Sequence, residues 1–387
     1  MYLLSSGIRA LQETARRTAA EVLAPEAPRV DAEAMWPARG IRAIAAAGLL
    51  GLHVPRRLGG LEEGMLALVV LTEEFARHCP STALCFGMHC VATAVLSAKA
   101  TPDHENRYLR PIAEGTHFTT LALSEAGTGA HFYWPQTHVK AEGDSYVVNG
   151  TKQFVTSGGM ADSYVVTTST ARPGSGEAGE FSALVLDAET PGVSWHGDWR
   201  GMGMRGNSSR AMELRDVRVP TSQLLGKEGD EVWYVFEVVA PYFLMAMSGV
   251  YIGIAAAAVD LAIADVQGRV HAHTGQTISA EPIVQHRLAD LWLRLHQARE
   301  LVHSAARLAD AGEPAALPAL LASKAAASTA AVDVVNDAMT LAGGRAYRDN
   351  GRFAQLLRDA RAGHVMAPTT DMLKLWLGRA LLGAPLL

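Results

Sequence analysis

The residues best placed to do chemistry lie between positions 119 and 159. The first part, TTLALSEAGTGAHF, is a short apolar run (121–123) that breaks into small and glycine-rich residues. Such a run predicts a strand that opens into a loop of exposed backbone N–H groups. The second part, SYVVNGTKQFVTSGG, is two β-rich runs joined by Asn149-Gly150. An Asn-Gly between alternating apolar residues predicts a tight hairpin turn. The hairpin would end at Phe154, Thr156 and the pair Gly158-Gly159. An aromatic ring, a hydroxyl and bare backbone at one sheet edge could hold a flat heterocycle with polar edges. The same spacing also fits an ordinary hairpin beside a loop.

Three blocks of sequence position this stretch. Over residues 1–115 the apolar pattern is helical, with Ile8, Leu11, Ala15, Ala19 and Val22 on one face and Ala24-Pro25 as the stop. Further helices are predicted over 41–50, 66–77, 82–99 (with Ser81 as N-cap) and 103–113. His89, among Phe86, Met88 and Val91, reads as a partly buried histidine. Over 116–226 the period becomes strand-like, predicting a small antiparallel β barrel or sandwich. Over 227–387 it is helical again, with segments at 231–269, 282–310, 315–341 and 371–382 that predict a four-helix bundle. The fold class is therefore mainly α with a central β domain, in α–β–α order.

At 387 residues there is material for two or three domains. A hydrophobic content of 49% and a net charge of −5 argue against nucleic-acid binding and against a disordered chain. Cys79, Cys85 and Cys90 lack the repeated short spacing of a zinc site and read as buried free thiols of a reducing, cytoplasmic compartment. No basic start precedes a long apolar run at the N-terminus, so no signal peptide is evident. Residues 238–259 carry no formal charge and are long enough to span a bilayer. Pro241, Gly249, Gly253 and two tyrosines within them point instead to a helix buried on all sides, so no membrane partner is expected.

SEAGTGAHF followed by VVNGTKQFVTSGG resembles the paired flavin-binding signature of the acyl-CoA dehydrogenase superfamily, TEPxAGSD and then LNGTKxWITN. Glu125, Gly129, Asn149, Gly150, Lys152 and Thr156 match it unchanged. Ser124 stands for its Thr, Ala126 for its Pro, Ala130 for its Ser, His131 for its Asp and Phe154 for its Trp. GMGMRGNSS (201–209), DVRVP (216–220), VQHRLADL (284–291), LAGGRAY (341–347) and RDAR (358–361) follow in the family's order, so the likeness covers most of the chain.

The resemblance implies FAD between the sheet and the C-terminal bundle of a homotetramer or dimer. Leu123 and Ser124 would contact the isoalloxazine ring, Thr156 would bond near its N5 edge, and Phe154 and Val155 would lie against it. Gly129 and Ala130 would face the pyrophosphate. Gly343 and Gly344 would meet the adenine half from a neighbouring subunit, and Thr369 and Asp371 match further cofactor contacts. The family's Arg-x-x-Phe-Gly falls on residues 271–275, which lack its arginine, although Arg269 is near. The implied substrate is an acyl thioester on CoA or an acyl carrier protein, with an electron-transfer flavoprotein or O2 as acceptor. The family's catalytic Glu falls on Ala367, and its alternative position falls on Phe243. His364, Asp371, Tyr242 and His89 are the replacement candidates, and the catalytic residue is left unassigned. Desaturation with an atypical base, a monooxygenase of the same fold, and a flavin-binding subunit without turnover are the readings left open.

Overall fold

The computed structural model describes residues 4–129, 131, 134–169, 181–230 and 233–386; Ala130 and residues 171–180, whose run ARPGSGEAGE reads in the sequence as a turn between two strands, lie outside them. The chain opens with α1 (Ser6–Thr18), whose first turn is capped by Ser5 Oγ accepting the Ile8 N–H at 3.2 Å. Pro25 does not stop it. A π-turn at Ala19–Leu23 leads directly into α2 (Ala24–Ala32). The wider turn accommodates a proline that has no N–H to donate, so the helix runs on.

After α3 (Ala38–Ala46) come two buried helices, α4 (Met65–Ala76) and α5 (Pro80–Ala98). Proline occupies the first position of α5, where its missing N–H is harmless. Cys79 therefore holds the N-cap position and Ser81 does not; its hydroxyl instead accepts the Gly206 N–H at 3.1 Å. The block closes with α6 (Pro102–His104), a π-turn and α7 (Arg110–Ala113).

The middle block is an eight-stranded sheet: β1 (Thr119–Ala122), β2 (His138–Glu142), β3 (Ser145–Val155), β4 (Ser163–Ser169), β5 (Phe181–Asp187), β6 (Val193–His196), β7 (Arg210–Pro220) and β8 (Leu224–Leu225). Its order is β6-β7-β3-β2-β4-β5-β8, with β1 added alongside β4. Most pairs are antiparallel, and β1–β4 is parallel. The expected turn at Asn149-Gly150 is not a turn, because β3 runs straight through it. The hairpin closes earlier, at Gly143-Asp144, where Gly143 has φ +65°. Asn149 instead bonds across to β7, accepting the Asp216 N–H at 2.8 Å beside a break in register. Gly150 is needed for space, since a Cβ there would sit 2.4 Å from Thr137 Oγ1.

The C-terminal block contains α8 (Ala240–Gln267), α9 (Pro282–Asp310), α10 (Ala316–Ala342), α11 (Arg352–Val365) and α12 (Thr370–Leu381). Among the described residues, two helices are long and apolar enough to cross a membrane, Pro80–Ala98 and the run Tyr234–Gln267. Both are mostly buried within the protein and form its core. The pattern did not announce α11, because its inner face carries Gln355 and Asp359 as well as Phe353 and Leu356. Buried polar groups on that face break the apolar period on which such a reading depends.

Candidate functional site

A cavity of about 860 Å³ lies where the sheet meets α8, α11 and the loop that follows α11. Leaving β1, the chain crosses this cavity as Leu123, Ser124, Glu125, Ala126 and Gly129. What fixes that loop is a buried ion pair. Glu125 Oε1 accepts from Lys152 Nζ at 2.6 Å, and the carboxylate also takes the Gln136 and Thr137 N–H groups at 2.5 and 3.1 Å. Burial works to raise Glu125, but Lys152 and these donors together bring it below its ordinary value. Burial pushes Lys152 down to about 8, against the pull of Glu125. A pair this well bonded stays charged and staples the loop to β3. The Gln153 N–H donates to Ser124 O at 2.7 Å and completes the attachment.

At the end of β3 a second register break turns Phe154 outward. Its φ is +56°, a costly conformation for an aromatic residue, and 65% of the residue is exposed. Only the edge of Trp199, 6.4 Å away between centroids, approaches its ring among the described aromatic side chains. Thr156 and Ser209 line the same wall, their hydroxyls 3.4 Å apart. Gly129 has φ +53°, and among the described residues a Cβ there would meet nothing within 4 Å, so its backbone is open to a ligand. A strained, bare ring, loosely engaged hydroxyls and open backbone fit a flavin. Val155 is different: its side chain is in the core, and its carbonyl accepts the Gly158 N–H at 3.0 Å.

The opposite wall is helical. Arg358 forms an ion pair with Asp31 and donates to Met202 O at 2.9 Å, clamping the 199–204 loop over the cavity. Asp359 Oδ1 accepts the Met204 N–H at 2.6 Å, while Oδ2 has no partner among the described residues. Burial raises this carboxyl to about 7. Beyond α11, Lys324 Nζ donates to three carbonyls, Gly363 (3.0 Å), Met366 (2.7 Å) and Pro368 (2.7 Å). Burial pushes it down to about 7, but three acceptors at a helix C-terminus favour the ammonium. Lys324 thereby fixes the loop carrying Ala367, which faces the cavity with Phe243, Val365 and Met366.

The candidate bases do not gather here. His89 is fully buried, accepts the Thr119 N–H at 3.1 Å, meets Leu50 O at 3.0 Å and stacks on Phe118. Burial lowers it to about 4. Tyr242 packs against His53, His364 lies off the cavity face of α11, and Asp371 is exposed in the first turn of α12. Thr369 does line the cavity and caps α12, accepting the Met372 N–H at 3.3 Å. Gly343 and Gly344 lie outside this chain's cavity, at the exposed end of α10. Arg269 is committed to Asp265 and to Ala342 O, at 2.9 and 3.0 Å. Sequence reasoning missed the Lys152–Glu125 staple, the Lys324 clamp and Arg358. A lone lysine inside the apolar run LLASKAAAST was the available signal for Lys324.

Sequence profiles for the N-terminal, middle and C-terminal domains of acyl-CoA dehydrogenase match residues 5–116, 120–217 and 243–382. The chain belongs to the acyl-CoA dehydrogenase family. It is 32% identical over 368 residues to the cyclohex-1-ene-1-carbonyl-CoA dehydrogenase of Geobacter metallireducens, covering 95% of this chain and 96% of that one. It is 30% identical over 369 residues to the human mitochondrial short-chain specific acyl-CoA dehydrogenase, covering 94% and 87%. Its fold matches that of the butyryl-CoA dehydrogenase from Megasphaera elsdenii with a TM-score of 0.92 at 24% identity, over 99% and 100% of the two chains. The chain thus has the α–β–α architecture of its family, with the cavity at the junction of its last two blocks.

Proposed function

We propose that this chain is an FAD-dependent oxidoreductase that desaturates an acyl thioester between its α and β carbons. The observation that carries the reading is one chamber that joins a flavin-shaped wall to an apolar one. Phe154 packs on the ring, and Ser124 and Thr156 offer hydroxyls to its polar edges. Leu123 lies beside the ring, and Gly129 presents backbone to the phosphates. Thr369, Asp371 and, from a neighbouring subunit, Gly343 and Gly344 complete the cofactor's surroundings. When bound, FAD supplies the hydride acceptor. The chain supplies burial: Met88, Leu121, Phe243, Val365 and Met366 exclude water from the acyl carbons.

The protein acts as a soluble, cytoplasmic homotetramer or dimer. Ile283, Trp292 and Leu293 on α9 and Leu381 and Leu382 near the C-terminus are exposed apolar residues suited to subunit contact. The thioester is carried on CoA or a carrier protein, and electrons leave to an electron-transfer flavoprotein or O2. Mass analysis after turnover with saturated acyl-CoAs tests the reading: loss of two hydrogens from the acyl chain is expected, and an unaltered acyl chain would overturn it.

A second reading has one observation in its favour. Among the described residues lining the cavity, the sole carboxylate is Glu125, which Lys152 already holds, and no histidine, lysine or tyrosine joins it. Hydroxylation or epoxidation by a flavin monooxygenase dispenses with a carboxylate base. Gain of one oxygen in the same analysis would select it.

A further inference from the structure

One aromatic side chain of the cavity belongs to none of the matching motifs. Trp199 stands just ahead of the stretch GMGMRGNSS and lines the chamber. Among the described residues of that lining it is the only indole, and no phenol joins it. Its surroundings build it into place. Its Nε1–H donates to Met204 O at 2.9 Å, which ties its polar end to its own loop. A Cβ on Gly201 would sit 2.4 Å from Trp199 Cζ2, so glycine at 201 makes the room in which the indole lies. From α11, Arg358 donates to Met202 O and Asp359 accepts the Met204 N–H, which holds the whole loop over the cavity.

With Nε1 engaged, the indole offers the cavity only its apolar ring. Its plane stands at 85° to that of Phe154, with the centroids 6.4 Å apart. Two rings at right angles make a corner, and a flat heterocycle laid against one meets the other at its rim. The polar edges of an isoalloxazine are served elsewhere, by the hydroxyls of Ser124, Thr156 and Ser209. What is left for the corner is the methyl-bearing carbocyclic rim, which has no hydrogen-bonding atom. Phe154 and Met202, 65% and 61% exposed, place the corner at the mouth of the cavity.

Resting on the FAD reading above, we infer that Trp199 is a second aromatic wall of the flavin site, closing over the apolar rim of the ring. It stands between that rim and solvent. It strengthens FAD retention by about two- to tenfold, the usual contribution of one aromatic pair. An indole beside a light-excited flavin also passes it one electron and takes the electron back, which quenches emission without net reaction. A phenol does the same, and a phenyl ring does not.

The test is the emission lifetime of protein-bound FAD, measured after gel filtration has removed free cofactor. The lifetime should be short in the wild type, lengthen severalfold in Trp199→Phe and shorten again in Trp199→Tyr. FAD should be retained in both variants, with thermal unfolding reporting that each is folded. Loss of the Nε1 bond alone would loosen the loop without lengthening the lifetime of the FAD that stays bound. An unchanged lifetime in Trp199→Phe would therefore overturn the proposal and place the indole away from the ring. Loss of FAD from both variants would overturn it too, because Trp199 would then support the loop rather than wall the cofactor. If the wild type itself binds no FAD, the flavin reading fails first and this inference with it.

Discussion

The two walls of the cavity are held by different means. On the sheet side, a side chain grips a side chain: Lys152 holds Glu125, and the loop geometry depends on both residues being present. On the helical side, Lys324 grips backbone, taking the carbonyls of Gly363, Met366 and Pro368. A wall held through its carbonyls keeps its shape whatever side chains face the cavity. The comparison explains why the helical wall can carry the matching stretch RDAR (358–361) and yet present Ala367 to the cavity. One wall constrains sequence, and the other constrains only backbone.

The largest effect should come from exploiting that freedom. Ala367→Glu places a carboxylate on a loop that Lys324 already fixes, and should raise the desaturation rate by about 100- to 10,000-fold, the usual worth of general-base help. Dye-coupled turnover measures it; an unchanged rate would mean that an effective base already acts in the native chain.

The sheet wall should be far less tolerant. Glu125→Gln leaves Lys152 buried without its counter-charge and should cost about 3–5 kcal/mol in denaturant unfolding. Adding Lys152→Met should recover part of that loss. If the single substitution is neutral, the staple does not organise the loop.

Asp359 tests whether the helical wall pays a pH-dependent penalty. Its folded pKa is raised to about 7 from 3.8, so the native state binds the extra proton between those values. Its stabilising contribution is present below pH 4 and is lost as pH rises through 7, on the order of 4 kcal/mol. Asp359→Asn should flatten that slope in unfolding curves taken across the window. A wild-type slope retained in the variant would assign it to other groups.

The smallest effect concerns Phe154. Replacing it with glycine relieves the positive φ and should stabilise the FAD-free protein by up to about 1 kcal/mol. Retention of FAD on gel filtration should fall, because the ring wall is gone. Unchanged retention would remove Phe154 from the flavin contacts.

Much of this was legible in the chain. The change of period at about residues 116 and 227 marked where helices give way to strands and return, and the paired motif pointed to the sheet wall of the cavity. The misreadings share a cause. Asn149-Gly150 looked like a turn, but Asn149 serves a bulge in a neighbouring strand and Gly150 yields room to Thr137. Pro25 looked like a stop, but a π-turn absorbs it. The helix at Arg352–Val365 was hidden by polar residues on its inner face, each of which makes sense only once its partner is known. Lys324 and Arg358 act on segments distant in sequence, which no local pattern records.

The central claim is that this chamber takes reducing equivalents from an acyl thioester. Anaerobic titration of the purified, FAD-loaded protein with saturated acyl thioesters, followed by flavin absorbance, tests it most directly. The account predicts bleaching of the flavin band. No bleaching by any thioester, together with gain of one oxygen by the acyl group once reduced flavin and O2 are supplied, would contradict it and select oxygen chemistry in its place.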